Sequence, residues 1–158
     1  MLVFIDTEFT DFSNKDLISL ALVAEDGREL YAELGDYDRA LSSDFVRAVV
    51  EPLLGRTPGA VRGARAEVAQ AVRAFLAGID APCIAYDYPH DLVLLRELLG
   101  DMPAPLASSN VYRKLDETLI ERYFAQHEAP VHHALHDARA NRYAYRPDYR
   151  RRLTRRAS

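Results

Sequence analysis

Asp6-Thr7-Glu8 closes a short apolar run, Leu2-Val3-Phe4-Ile5, that reads as a strand buried on both faces. Side chains two apart on a strand project to the same side, so the carboxylates of Asp6 and Glu8 emerge together from the edge of a hydrophobic core. Two like charges there repel one another and raise each other's pKa unless a cation neutralises them. Ligation by carboxylate oxygens alone suits Mg²⁺ or Mn²⁺ rather than zinc. A solvated strand end is the bland alternative for an Asp-x-Glu taken by itself. Two further acids, Asp91 and Asp137, stand near predicted helix starts. Aspartate is a common helix cap, and Asp137 could pair with Arg139 or Arg142, so neither acid defines a site alone. His132, His133 and His136 crowd the approach to Asp137. Helix geometry favours His133, which shares a face with Asp137, whereas His132 lies about 140° away around the axis.

The elements that must position these groups are legible in outline. Leu17–Ala24 and Arg28–Leu34 are strand-like and joined through Glu25-Asp26-Gly27, a hairpin signal. Ser43 or Asp44 can cap a short helix running to Val50, and Ala64–Ala77 reads as an amphipathic helix ended by Gly78. Pro52, Pro58 and Gly59 break the chain between them. A fourth strand, Pro82–Tyr86, leads into a helix over His90–Leu99 that Gly100 stops. Beyond the segment Met102–Pro105 come a short fifth strand near Leu106–Ser109 and helices over Tyr112–His127 and His133–Tyr145. Three opening strands followed by alternating helices and strands predict an α/β fold with a mixed five-stranded sheet flanked by helices. Residues 1–146 would form one domain and residues 147–158 a basic C-terminal tail. The single cysteine, Cys83, sits in an apolar stretch and is expected to be a buried, inert thiol.

Three segments carry a family resemblance. Phe4-Ile5-Asp6-Thr7-Glu8-Phe9-Thr10, Ile84-Ala85-Tyr86-Asp87-Tyr88-Pro89-His90-Asp91-Leu92 and His132-His133-Ala134-Leu135-His136-Asp137-Ala138 resemble, in order, the three motifs of the DEDDh (DnaQ-like) 3′–5′ exonucleases. The resemblance spans roughly residues 2–145 and is nearest to the compact bacterial exoribonucleases of that superfamily. It implies a ribonuclease H-like fold, with Asp6, Glu8, Asp91 and Asp137 holding two Mg²⁺ or Mn²⁺ ions. It also implies His132 as general base, on a loop just before the last helix. Asp87 departs from the asparagine that many family members carry four positions before the second-motif acid, and it is the reserve ligand there. The implied reaction removes nucleoside 5′-monophosphates from the 3′ end of a single strand, RNA favoured over DNA, and related enzymes are commonly homodimers. Phe9 and Phe12, following the first motif, could stack on terminal bases, or could simply belong to the core.

Composition narrows the alternatives. The chain of 158 residues carries a net charge of −4, yet residues 139–158 hold eight arginines against one acid and the rest of the chain is strongly acidic. A basic arm on an acidic, metal-binding body is suited to a polyanion, and a solvated terminus is the plain alternative. No apolar run is long enough for a membrane span, and Asp6 spoils a signal-peptide pattern, so the expectation is a cytoplasmic protein without membrane contact. Asp6-Thr7-Glu8-Phe9-Thr10 also approaches the first motif of haloacid dehalogenase-like phosphatases. That family needs a placed lysine, and this chain has only Lys15 and Lys114. A non-catalytic nucleic-acid-binding module is the remaining alternative.

Overall fold

The computed structural model describes residues 1–100 and 106–149. Three strands, β1 (Leu2–Phe9), β2 (Leu17–Ala24) and β3 (Glu29–Leu34), form an antiparallel meander. The turn between β2 and β3 places Gly27 at φ 92°, a left-handed backbone that glycine adopts without steric cost. β4 (Val61–Gly63) joins β3 in parallel, while β5 (Cys83–Tyr86) and β6 (Ala107–Asn110) extend the sheet in parallel from β1. The order is β4-β3-β2-β1-β5-β6. Every residue of β2 is buried, as its unbroken apolar run requires.

Period-two alternation divides β1 between the faces of the sheet. Val3 and Ile5 pack into the main core with Val68 and Val72 of α1 (Arg65–Ala77) and Leu95 of α2 (Pro89–Leu99). Phe4 points the other way, into a cluster with Val111 and Leu115. On that second face α4 (Ala134–Ala144) lays Ala134, Leu135 and Ala138 against Ala21 and Val23, and α3 (Glu117–His127) packs on α4. Asp6 and Glu8 thus share the side of Phe4, toward α4, and Thr7 shares the side of Ile5, toward α2.

The sheet has six strands, not the expected five. The added strand, β4, follows the Pro58-Gly59 break, is three residues long and is only half-buried, so no hydrophobic alternation announces it. It is held by register, Ala32 opposite Val61 and Leu34 opposite Gly63. The helix expected over Tyr112–His127 is divided: Tyr112–Lys114 is a 3₁₀ turn, and α3 starts after Asp116, whose carboxylate accepts a hydrogen bond from the Thr118 amide. Ser43 does cap the next short helix through Val46 N–H, but Val46–Val50 is wound as a π-helix. Cys83 is partly exposed on β5 rather than buried. The Met102–Pro105 segment and Arg150–Ser158 of the basic tail lie outside the described residues. Among the described residues, no helix is long and apolar enough to cross a membrane.

Candidate active site

The ladder between β1 and β5 ends at Phe4 opposite Ala85, although β1 continues to Phe9. The chain leaving β5 therefore turns beside the end of β1 and brings Asp87 and then Asp91, in the first turn of α2, next to Asp6. From the α4 face comes Asp137, whose Oδ2 accepts a 2.8 Å hydrogen bond from the His133 backbone N–H. The register of β1 against β2 slips between Glu8 and Phe9, an irregularity that redirects the chain into the segment carrying Phe12.

Two groups of carboxylates result. Asp6, Glu8 and Asp137 each offer one oxygen within 4.8 Å of the others, and so do Asp6, Asp87 and Asp91. Asp6 belongs to both. Asp91 is 2% exposed; its Oδ1 accepts a 2.6 Å hydrogen bond from Thr7 Oγ1, and its Oδ2 is buried without a hydrogen-bond partner. A buried carboxylate oxygen left unmatched is costly.

The electrostatics agree. Burial, reinforced by Asp137, Asp91 and its other acidic neighbours, raises the Asp6 pKa well above the ordinary carboxylate value. Burial and the charges of Asp137 and Asp91 push Glu8 up to about 8. Asp91 rises to about 7, chiefly through burial and against the pull of the Thr7 hydrogen bond. Asp137 rises to about 6, again chiefly through burial, opposed by its backbone hydrogen bond from His133. Protons or cations must occupy such a cluster near neutrality. An all-oxygen donor set with an orphaned buried oxygen fits a hard divalent cation.

A cleft of about 570 Å³ opens over the Asp6, Glu8 and Asp137 group and is bordered by His132, Phe9 and Phe12. The rings of Phe9 and Phe12 meet edge to face at 5.3 Å, and Phe12 is 66% exposed, so it is no part of the core. His132 precedes α4 with a left-handed backbone, φ 58°, and its ring stands edge to face with Phe45 at 5.0 Å. The histidine favoured by helix geometry lies elsewhere. His133 is the extended N-cap residue of α4, outside the helix, so helical periodicity does not relate it to Asp137. Its buried ring lies 4.7 Å from that of Tyr31, with Nε2 3.1 Å from Thr57 Oγ1. His133 and His136 line a separate groove of about 880 Å³ between β3 and α4.

Four contributors were not singled out by sequence. Phe45 and Tyr88 border the acidic cleft, Thr7 holds Asp91, and Asn141 donates to Asp87 Oδ1 at 3.2 Å. Asn141 follows Asp137 by one helical turn, a spacing that marks the shared face of α4.

A six-stranded mixed sheet flanked by helices, with acids gathered where β1 and β5 end, fits a ribonuclease H-like fold. No family model matches the sequence. Proteins from two strains of Mycobacterium tuberculosis, each named 3′–5′ exoribonuclease, are 33% identical to the chain over 147 residues, which is 88% of this chain and 88% of each relative. The chain belongs to the nuclease family of these proteins.

Proposed function

We propose that the protein is a DEDDh-type 3′–5′ exonuclease that removes nucleoside 5′-monophosphates from single-stranded RNA. Asp6, Glu8, Asp91 and Asp137 would hold two Mg²⁺ or Mn²⁺ ions. The observation that carries this reading is the sharing of Asp6 between two carboxylate groups, one of which includes Asp91, whose buried Oδ2 has no hydrogen-bond partner. The names of the mycobacterial relatives support the reaction and the choice of RNA.

Bound divalent cations would supply the charge that activates a water and steadies the leaving 3′-oxygen. The chain's own residues do the rest. The carboxylates fix where that charge sits, with Thr7 orienting Asp91 and the His133 amide orienting Asp137. His132 borders the same cleft and accepts the proton of the attacking water through a ring nitrogen. Phe9 and Phe12 receive the terminal bases by stacking, which tolerates any base because each has a π-face. The arginines of residues 147–158 would add affinity for phosphates without taking part in the chemistry. A cytoplasmic location is part of the same proposal.

The test is digestion of 5′-labelled single-stranded RNA and DNA with Mg²⁺, Mn²⁺ or a chelator. Stepwise shortening of RNA from the 3′ end, with mononucleotide released and chelator abolishing it, is the expected result. Release of inorganic phosphate alone, or cleavage in excess chelator, contradicts the proposal.

A further inference from the structure

We propose that Asp87 is a fifth acidic ligand, completing with Asp6 and Asp91 the cation position nearer α2, and that Asn141 is the residue that positions it. This rests on the divalent-cation reading above and extends it to a residue outside the four-acid set.

Without Asp87 the two halves of the site are unequal. The position toward α4 draws on Asp6, Glu8 and Asp137, whereas the position toward α2 would have only Asp6 and Asp91. With Asp87 each position has three carboxylate oxygens within 4.8 Å of one another, and Asp6 bridges them. Asp91 has one oxygen, Oδ1, engaged by Thr7 and one, Oδ2, buried without a partner. That buried, unmatched oxygen, on a member of the same three-carboxylate group as Asp87, is a sign of a ligand independent of the clustering itself.

Asp87 is also held in place. Its backbone carbonyl accepts from Asn110 Nδ2 at 3.4 Å, fixing the chain as it leaves β5. Its Oδ1 accepts from Asn141 Nδ2 at 3.2 Å. Asn141 is itself only 7% exposed and sits one turn beyond Asp137 on α4, so a single helix presents one acid and orients another. An amide donor is suited to this because it fixes the carboxylate without neutralising it.

The test is direct Mn²⁺ binding to the full chain by titration calorimetry, for wild type, Asp87→Asn and Asn141→Ser, with thermal melts in chelator as a check on folding. Asparagine matches aspartate in shape and removes one of the repelling charges, so Asp87→Asn should melt no lower than wild type in chelator. Its Mn²⁺ affinity at one of two positions should fall about tenfold to a hundredfold or more, and Asn141→Ser should weaken the same position by a smaller factor. Wild-type affinity and stoichiometry in Asp87→Asn would overturn the ligand assignment while leaving the four-acid reading intact. Unchanged binding in Asn141→Ser would remove the positioning role. Absence of Mn²⁺ binding by the wild type would overturn both this assignment and the cation reading beneath it.

Discussion

Thr7 Oγ1 donates to Asp91 Oδ1 across 2.6 Å, joining the middle residue of Asp6-Thr7-Glu8 to the first turn of α2. The acids on either side of Thr7 face α4, so this one tripeptide supplies two carboxylates on one face of the sheet and anchors a third from the other. Thr7→Val keeps the shape but leaves Asp91 Oδ1 unsatisfied in a buried site, costing about 1–3 kcal/mol of stability. Metal affinity should fall about 10–100-fold, as for other residues that orient a ligand. Calorimetric Mn²⁺ titration and thermal melts check both; wild-type values in each would show the contact to be incidental.

The raised carboxyl pKa values give the metal-free protein a defined pH response. An acid whose folded pKa lies above its unfolded value stabilises the fold while protonated, and that contribution is lost as pH rises through the folded pKa. Glu8 at about 8, Asp91 at about 7 and Asp137 at about 6 therefore predict falling stability from about pH 4 to pH 8 in chelator. Saturating Mn²⁺ should remove most of this decline. Asp6→Asn should melt higher than wild type in chelator at pH 8. Parallel melting curves across pH with and without metal would contradict the electrostatic account.

His132→Ala should lower turnover by about 10²–10⁴-fold while leaving Mn²⁺ binding close to wild type, because the ring borders the cleft and is not among the clustered acids. His133→Ala retains the backbone N–H that serves Asp137 and should keep far more activity. Turnover measured at saturating RNA decides between them, and the reverse order of losses would transfer the base to His133.

Phe12→Ala removes an exposed ring beside Phe9, so stability should barely change. Loss of one base-stacking surface worth about 1–3 kcal/mol should raise KM for oligonucleotides roughly 5–150-fold, with little effect on kcat. Unaltered KM would leave Phe12 without a substrate role.

The legibility of the site follows the range of the interactions that build it. Asp6 and Glu8 could be placed from a local apolar run and a period of two, and β1 meets that expectation with Asp6 opposite Ala21 and Glu8 opposite Ser19. β4 could not, because three residues at a sheet edge, none of them buried, are ordered by their partner β3 and carry no pattern of their own. Which histidine shares a face with Asp137 depends on where α4 begins. A wheel drawn through His133 presumes that it is helical, and it is the residue before the first turn. Thr7 with Asp91, and Asn141 with Asp87, join residues 84 and 54 positions apart; only the closing of the sheet against α2 and α4 brings them together.

Tracking 5′-labelled single-stranded RNA through digestion by wild type and Asp6→Asn, each with Mn²⁺ or with chelator, tests the shared-carboxylate site most directly. The account predicts a ladder shortening one nucleotide at a time from the 3′ end, with 5′-mononucleotide as product, for wild type with Mn²⁺ alone. Chelated wild type and Asp6→Asn with Mn²⁺ should both leave the RNA full length, although the variant is folded. Equal digestion by Asp6→Asn, or by wild type in excess chelator, would contradict it.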